Sequence, residues 1–254
     1  MQFGAIYPSL KGRGVLITGG GTGIGAEVVR HFAAQGAGVV FLDINEPKSI
    51  SLVEELSSAG HTVHFLKCDL TDSDAIADMI TQARALVGPL TILINNAAND
   101  QRHAWQDMTP SYWDDRIAVN LKHQFFTAQA VIPDMQEAGN GAIINMGSIS
   151  WMISAGNMVG YTTAKAAVEG LTRSLARDLG PDNIRVNTIA PGWIMTDRQT
   201  ELWLDEDGDR RIDERQCLKR KLLPEDVARV VLFYASDEAS ACTGETYVVD
   251  GGWA

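Results

Sequence analysis

Short apolar runs alternate with longer amphipathic segments along almost the whole chain, and this alternation restricts the possible fold more than any other feature. The apolar runs predict strands at 14–18, 38–43, 62–67, 90–94, 141–146, 184–190 and 245–250. Helical periodicity lies between them, at about 23–35, 48–59, 72–87, 112–138, 161–180 and 225–236. Several runs are apolar almost throughout, as expected for strands that helices cover on both faces. The pattern predicts an α/β fold with a parallel sheet.

The composition and net charge of the chain argue against some classes of binding partner. The chain has 254 residues and a formal net charge of −11, which would repel nucleic acid and anionic membrane surfaces, so we expect neither as a partner. Cys68, Cys217 and Cys242 lie far apart without C-x-x-C spacing, so neither a disulfide framework nor a metal site is expected. The opening "MQFGAIYPSLKGRG" lacks the apolar core of a signal peptide, and no run reaches the ~18 apolar residues of a membrane span. The expected location is the cytoplasm.

One irregular segment, 192–223, interrupts the alternation of strands and helices. It contains the polar run "ELWLDEDGDRRIDERQ", which is too polar for a core. The segment is long enough to form a lid over a substrate site. A plain surface excursion is the alternative.

The stretch "TGGGTGIG" (18–25) joins the first predicted strand to the first predicted helix. Glycine permits positive φ and lets a ligand approach the backbone closely. The N-terminus of the helix offers free N–H groups and a partial positive charge, which suit a pyrophosphate. The GK[ST] ending of a nucleoside-triphosphate loop is absent, which disfavours ATP and GTP. A tight turn without a ligand is the alternative.

Two carboxylates follow predicted strands downstream of this loop. Asp43 ends the second strand, where it could accept hydrogen bonds from both ribose hydroxyls of an adenosine and would repel a 2′-phosphate. No Arg or Lys lies in the glycine loop or just after Asp43, so NAD is favoured over NADP. A strand-end cap is the alternative for Asp43. Asp69 could reach an adenine amino group or could simply cap the next helix.

Candidate catalytic groups lie in "YTTAK" (161–165) and in "NMGSIS" (145–150). Tyr161 and Lys165 are four residues apart and would share one helix face. An ammonium beside a phenol lowers the pKa of the phenol, which could then act as a general base toward an alcohol. Ser148 follows a predicted strand and could hold the substrate oxygen while its proton leaves. Ser150 is the alternative serine, and a surface Tyr–Lys pair is the alternative for "YTTAK".

Taken together, these motifs resemble the short-chain dehydrogenase/reductase family from Lys11 to Trp253. The resemblance rests on six motifs in the family's order: "TGGGTGIG", "NNAA" (95–98), Asn120 in "AVN", Ser148, "YTTAK" and "PGWIMT" (191–196). One small departure is Ala98, where the family usually has glycine. The resemblance implies a single doubly wound, Rossmann-type domain over 1–254, with a seven-stranded parallel sheet and the probable substrate lid at 192–223.

The resemblance also implies roles for individual residues. Tyr161 would be the catalytic acid/base, Lys165 would lower its pKa, Ser148 would polarise the reacting C–O group and Asn120 would hold a proton-relaying water. The implied NAD-binding residues are Gly19, Gly21, Thr22, Gly23, Ile24, Asp43, Asp69, Leu70, Asn96, Ala97, Tyr161, Lys165, Pro191, Gly192, Ile194 and Thr196. The family commonly pairs two long helices across subunits, so a homotetramer is expected.

Several stretches outside these motifs resemble bacterial NAD-dependent sugar dehydrogenases that act on aldopentoses such as D-xylose or L-arabinose. They are "AIYPSLKG" (5–12), "NDQRHAW" (99–105), "GSISW" (147–151), "RQCLKR" (215–220) and "ASACTGETYVVDGGW" (239–253). This resemblance implies oxidation of the anomeric hydroxyl to a lactone. The expected substrate contacts are Asn99, His103, Ser148, Trp151, Asn157, Tyr161 and Trp193. The alternatives are a dehydrogenase of another sugar or a (deoxy)sugar acid, a 3-oxoacyl or secondary-alcohol oxidoreductase, and a non-catalytic NAD sensor.

Overall fold

A single parallel sheet forms the centre of the molecule. The computed structural model describes residues 4–254, so the first three residues of the opening stretch lie outside it. The strands are β1 (Gly14–Thr18), β2 (Gly38–Asp43), β3 (Val63–Lys67), β4 (Leu90–Asn95), β5 (Gly141–Met146), β6 (Ile184–Pro191) and β7 (Thr246–Val249). Their order in the sheet is β3-β2-β1-β4-β5-β6-β7, and every pair is parallel. The predicted seven-stranded, doubly wound α/β domain is confirmed.

The helices fill the connections between strands, as the alternating pattern predicts. They are α1 (Gly23–Ala34), α2 (Glu46–Ser58), α3 (Ser73–Val87), α4 (Pro110–Ile117), α5 (His123–Ala138), α6 (Val159–Leu179), α7 (Asp197–Leu202), α8 (Glu206–Arg215) and α9 (Pro224–Ala235). The prediction of a single helix over 112–138 is wrong, because the structure has two helices there. The first begins at Pro110, and a π-helical turn at Ala118–Lys122 separates α4 from α5.

Successive residues of β1 face opposite layers, which explains why this strand is apolar throughout. Val15 and Ile17 belong to the core beneath α1, α2 and α9, whereas Leu16 belongs to the core beneath α3, α5 and α6. All three side chains are fully buried. Because both faces of the sheet are covered, its functional groups are exposed only at the strand ends.

The order of the sheet reverses between β1 and β4, which lie side by side although β2 and β3 intervene in the sequence. Beyond the carboxyl ends of the strands, such a reversal leaves a crevice where α/β folds bind ligands. The glycine loop follows β1, and "NNAA" begins at the end of β4. The fold therefore brings two of the predicted cofactor segments to one crevice.

The segment 192–223 contains two short helices, α7 and α8. A parallel bridge between Ile194 and Leu222 joins its two ends. Ile212, on α8, is only 1% exposed, so the apolar side of this polar helix packs against the domain. The segment's role as a substrate lid stays a prediction.

Residues 4–254 contain neither a membrane-spanning helix nor a cluster of metal ligands. None of the helices described there combines the length and the hydropathy needed to cross a bilayer. Within the same range, no three His, Cys, Asp or Glu side chains are grouped as a metal would require.

Candidate active site

The glycine loop between β1 and α1 is closely packed, and its glycines are required by sterics. Gly19 has a φ of +66°, and a Cβ there would lie 2.8 Å from the Cα of Ala97. A Cβ on Gly25 would lie 1.8 Å from the Gly19 carbonyl oxygen. The Asn96 amide donates a hydrogen bond of 2.8 Å to that same carbonyl. The loop is thus held against the end of β4, with the N-terminus of α1 open toward the crevice.

Asp43, at the end of β2, directly contacts the glycine loop. Its Oδ2 accepts a hydrogen bond of 2.8 Å from the Gly21 amide, and its Oδ1 accepts one of 2.8 Å from the Asn45 amide. A Cβ on Gly21 would lie 3.0 Å from the carboxylate and 2.5 Å from Ser49 Oγ. The cradle therefore has a shape that only glycine permits and a negative charge at its edge. The cradle fits the adenosine ribose of a nicotinamide dinucleotide.

The predicted adenine contacts lie after β3. Asp69 Oδ1 accepts hydrogen bonds from the Thr71 amide, at 2.9 Å, and from the Thr71 hydroxyl, at 2.7 Å. Leu70 is buried, with 7% exposure. The Asp69 carboxylate therefore has a structural role in its own turn, and its contact with adenine stays a prediction.

A cavity of about 750 Å³ lies beside the crevice. It brings together three of the four predicted catalytic residues and several predicted cofactor residues. Those on its wall are Ile24, Asn96, Ser148, Tyr161, Lys165, Pro191, Gly192, Ile194 and Thr196. Thr196 also faces the glycine loop, since a Cβ on Gly23 would lie 3.1 Å from its Cγ2. Residues from distant parts of the sequence thus share one wall.

Lys165 is the most deeply buried charged group of this site. Its side chain is 1% exposed, and Nζ donates a hydrogen bond of 2.7 Å to the carbonyl of Met146 at the end of β5. Nζ lies 5.7 Å from the centroid of the Tyr161 ring. Burial lowers the pKa of Lys165 to about 7. At neutral pH this side chain is therefore close to losing its charge.

The environment of Tyr161 differs from the prediction. Burial raises the pKa of its phenol to about 12, a hydrogen bond with Ser148 opposes this, and the charge of Asp100 adds to it. The expected lowering by Lys165 is thus not what the free protein shows. The physical reason is that burial disfavours both the phenolate and the ammonium that would stabilise it. At neutral pH the phenol of Tyr161 is therefore protonated.

Ser148 and Ser150 have different positions. The Ser148 hydroxyl accepts a hydrogen bond of 3.1 Å from the Ser150 amide. It also acts on Tyr161, where it lowers the pKa of the phenol against the effect of burial. Ser150 thus supports the orientation of Ser148 through its backbone. Between the two alternatives, the geometry favours Ser148 as the serine that can share a substrate oxygen with Tyr161.

Asn120 lies in the π-helical turn and is completely buried. Its Oδ1 accepts from the Asn99 amide at 2.8 Å, and its Nδ2 donates to the carbonyls of Asn99 and Arg116, at 3.1 and 2.9 Å. Both amide protons are therefore used to hold the loop after β4. The predicted water-holding role of Asn120 stays a prediction.

The predicted substrate contacts fall into two groups. Ser148, Tyr161 and Trp193 line the cavity, whereas Asn99, His103, Trp151 and Asn157 do not. The His103 ring packs edge-to-face on Tyr112, and its amide donates to the Asn157 carbonyl at 2.7 Å. These contacts join the loop of His103 to Asn157. The substrate roles of Asn99, His103, Trp151 and Asn157 stay predictions.

Several residues of the cavity wall were not predicted as site residues. Arg211 and Arg215 project from α8, and Arg102 projects from the loop after β4. The four-residue spacing of Arg211 and Arg215 places them on one helix face. The spacing of Arg211 and Arg215 within the predicted lid could have indicated a shared basic helix face. It does not show which face of the helix lines the cavity.

Comparisons with known proteins agree with this geometry. Residues 19–254 match a family profile described as enoyl-(acyl carrier protein) reductase. The chain is 50% identical to D-xylose 1-dehydrogenase of Caulobacter vibrioides over 249 residues, which cover 98% of each chain. It is 47% identical to a Rhizobium meliloti protein named "Probable galactose dehydrogenase GalD", over 97% of this chain and 96% of that protein.

A solved structure extends the comparison to three dimensions. A 7α-hydroxysteroid dehydrogenase in complex with NADH and 7-oxo glycochenodeoxycholic acid superposes with a TM-score of 0.93. It shares 32% sequence identity, over 99% of this chain and 98% of that one. Fold, motif positions and full-length similarity therefore agree, and the chain belongs to the short-chain dehydrogenase/reductase family as an oxidoreductase of CH–OH groups.

Proposed function

We propose that this chain is an NAD-dependent aldose 1-dehydrogenase, which oxidises the anomeric hydroxyl of an aldopentose of the D-xylose or L-arabinose type to the lactone. The observation that carries the proposal is the convergence of Ser148, Tyr161 and Lys165 on one cavity wall. The substrate class is supported by the 50% identity to a D-xylose 1-dehydrogenase over nearly the full chain.

In this proposal Ser148 and Tyr161 share the anomeric oxygen of the sugar. Ser148 orients the hydroxyl, and Tyr161 accepts its proton as general base. The C1 hydrogen leaves with both bonding electrons to the nicotinamide of NAD, which supplies the hydride chemistry when bound. C1 becomes the lactone carbonyl, and the proton passes from Tyr161 to solvent.

Lys165 would assist Tyr161 by its charge. A lysine with a pKa near 7 is sensitive to its surroundings, and a hydrogen bond to a ribose hydroxyl or a developing phenolate nearby favours the ammonium. The cation would in turn stabilise the phenolate. The mutual stabilisation of Tyr161 and Lys165 would therefore arise in the loaded enzyme rather than in the free protein.

The preference for NAD rests on Asp43. Its carboxylate accepts the Gly21 amide hydrogen at 2.8 Å and so lies beside the glycine loop. A 2′-phosphate there would meet a like charge.

We also propose that the protein is a homotetramer and that it is located in the cytoplasm. Sedimentation of the purified protein would test the oligomeric state directly.

The test is an NAD-reduction assay with a panel of sugars and oxo compounds, each repeated with NADP. The panel contains D-xylose, L-arabinose, D-glucose, D-galactose, L-fucose, L-rhamnose, sugar acids and a 3-oxoacyl thioester. We expect a strong rate with an aldose and NAD, and a much weaker rate with NADP. Turnover of the thioester or of secondary alcohols alone would refute the sugar assignment while leaving the family unchanged.

A further inference from the structure

The cavity wall formed by α8 and the loop after β4 is rich in unpaired positive charge. Arg102, Arg211 and Arg215 all line it. Within residues 4–254, no carboxylate forms an ion pair with any of the three, although other arginines of the chain do form such pairs. Arg211 and Arg215 lie one turn apart on α8, so their guanidinium groups share a helix face.

Two of these cations are held in place by stacking rather than by counter-charges. The Arg102 guanidinium lies 4.4 Å from the centroid of the Trp203 ring and 5.7 Å from that of Trp193. The Arg211 guanidinium lies 5.7 Å from the same Trp193 ring. Cation–π contacts orient an arginine without neutralising it. The cations therefore stay available to a bound anion.

The stacked side chains of this wall also hold three buried donors. Arg102 Nε and the indole nitrogens of Trp193 and Trp203 are buried and have no hydrogen-bond acceptor in the described part of the chain. Buried donors normally have a partner. None of the three atoms can accept a hydrogen bond. A ligand that suits this wall must therefore bring acceptor atoms.

The acidic groups that face the same region do not balance the arginines. Asp100 is engaged by Arg198 Nε at 2.8 Å and by the Gln199 amide at 2.5 Å. Asp205 caps α8 by accepting from the Gly208 amide at 2.7 Å, and its charge acts on Arg102 from a distance.

The basic side chains that line the cavity outnumber the acidic ones, so the wall carries a net positive charge. The ionisable acidic and basic side chains that line the cavity are Asp100 on one side of the balance and Lys165, Arg102, Arg198, Arg211 and Arg215 on the other. Of the glycine loop, Ile24 lines this cavity. Arg102, Arg211 and Arg215 share the cavity with Ser148 and Tyr161, the pair that would hold the reacting oxygen.

We propose that the site turns over the neutral aldopentose but prefers the same pyranose ring with a carboxylate on the carbon next to the ring oxygen, that is, a hexuronate. This inference rests on the proposed function, because it assumes oxidation at C1. D-Glucuronate is the D-xylopyranose ring with a carboxylate at C5, and D-galacturonate has the same relation to L-arabinopyranose. Ser148 and Tyr161 hold C1, while Arg211, Arg215 and Arg102 receive the carboxylate. The product is the lactone of an aldaric acid, formed with one NADH and one proton.

The first arm of the test compares sugars that differ only at C5. D-Xylose, D-glucose, D-glucuronate and D-glucose 6-phosphate form one series, and L-arabinose, D-galactose and D-galacturonate form another. We expect kcat/KM for each uronate to exceed that of its matched pentose at least tenfold. This advantage should shrink as salt is added, because screening weakens charge recognition.

The second arm uses a matched pair of variants on α8. Arg211→Gln should lower kcat/KM for the uronate about tenfold, mainly through KM, with less than a twofold effect on the neutral pentose. Arg210→Gln is the control, because Arg210 pairs with Asp207 and does not line the cavity. It should leave both substrates unchanged. Arg211→Lys, which restores the charge, should recover most of the uronate activity.

The outcomes separate the two proposals. Turnover of pentoses without any preference for uronates would overturn the inference and leave the aldose 1-dehydrogenase assignment intact. A preference for glucose 6-phosphate would overturn the carboxylate assignment. An equal loss of pentose and uronate activity in Arg211→Gln would show a structural effect and contradict charge recognition. Absence of turnover with every sugar and uronate would overturn both proposals.

Discussion

At the scale of single residues, the phenol of Tyr161 carries the proposed chemistry. Tyr161→Phe removes only the hydroxyl, while the ring and its neighbours remain. General acid–base catalysis contributes about 10²–10⁴-fold, so we expect kcat to fall by at least that factor. NAD binding, followed by fluorescence titration, should change little. A variant that retains wild-type kcat would refute the assigned base.

Lys165 gives a second prediction, for stability against pH. Its pKa in the folded protein is about 7 because the side chain is buried. The unfolded chain therefore binds more protons between about pH 7 and pH 10, so the contribution of Lys165 to folding stability rises across that window. Lys165→Met removes this contribution, which is at most on the order of 5 kcal/mol.

Urea unfolding of both cofactor-free proteins at pH 7 and pH 9.5 measures the effect. As pH rises from 7 to 9.5, the free energy of unfolding of the wild type should increase relative to that of Lys165→Met. All other titrating groups are common to both proteins and cancel in the difference. Parallel pH profiles would contradict the lowered pKa.

At the scale of secondary-structure elements, the start of α1 depends on the absence of a Cβ at Gly25. In Gly25→Ala the new Cβ would lie 1.8 Å from the Gly19 carbonyl oxygen. Relieving such overlap costs about 1–3 kcal/mol, and it moves the N-terminus of α1 away from the loop. We expect a lower melting temperature together with a higher KM for NAD.

Gly170→Ala, on α6, is the matched control. Gly170 lies inside a helix, and no atom lies within 4 Å of where its Cβ would be. Alanine is favoured over glycine in a helix interior by about 1 kcal/mol. This variant should melt at the same or a higher temperature, with KM for NAD unchanged. Equal melting temperatures for the two variants would argue against the packing account of the glycine loop.

Elements also show how far the sequence predicts this fold. The ranges of β1, β2 and β5 agree with the prediction residue for residue, because their apolar runs are bounded by glycines or polar residues. The division of α4 from α5 was missed. A π-helical turn uses helix-forming residues and hardly changes the apolar periodicity, so local pattern cannot reveal it.

At the scale of the whole molecule, the grouping of Ser148, Tyr161 and Lys165 follows from motif order and strand ends. The cavity wall opposite them does not. Arg102 and Arg211 are far apart in sequence and meet only because each stacks on Trp193. Likewise, the contact between His103 and Asn157 depends on the packing of the His103 ring against Tyr112. Sequence spacing does not predict this packing. Side chains on loops and lids are set by tertiary contacts, and this limits prediction of the substrate.

The central claim, hydride transfer from the anomeric carbon of a sugar, is tested most directly by isotope labelling. The enzyme would oxidise its preferred aldose or uronate carrying deuterium at C1, with NAD as acceptor, and the reduced cofactor would be analysed by mass spectrometry. The account predicts NADH that carries the deuterium, together with a lactone that has none at C1. Unlabelled NADH, with deuterium retained in the oxidised sugar, would place the reaction at another carbon and contradict the account.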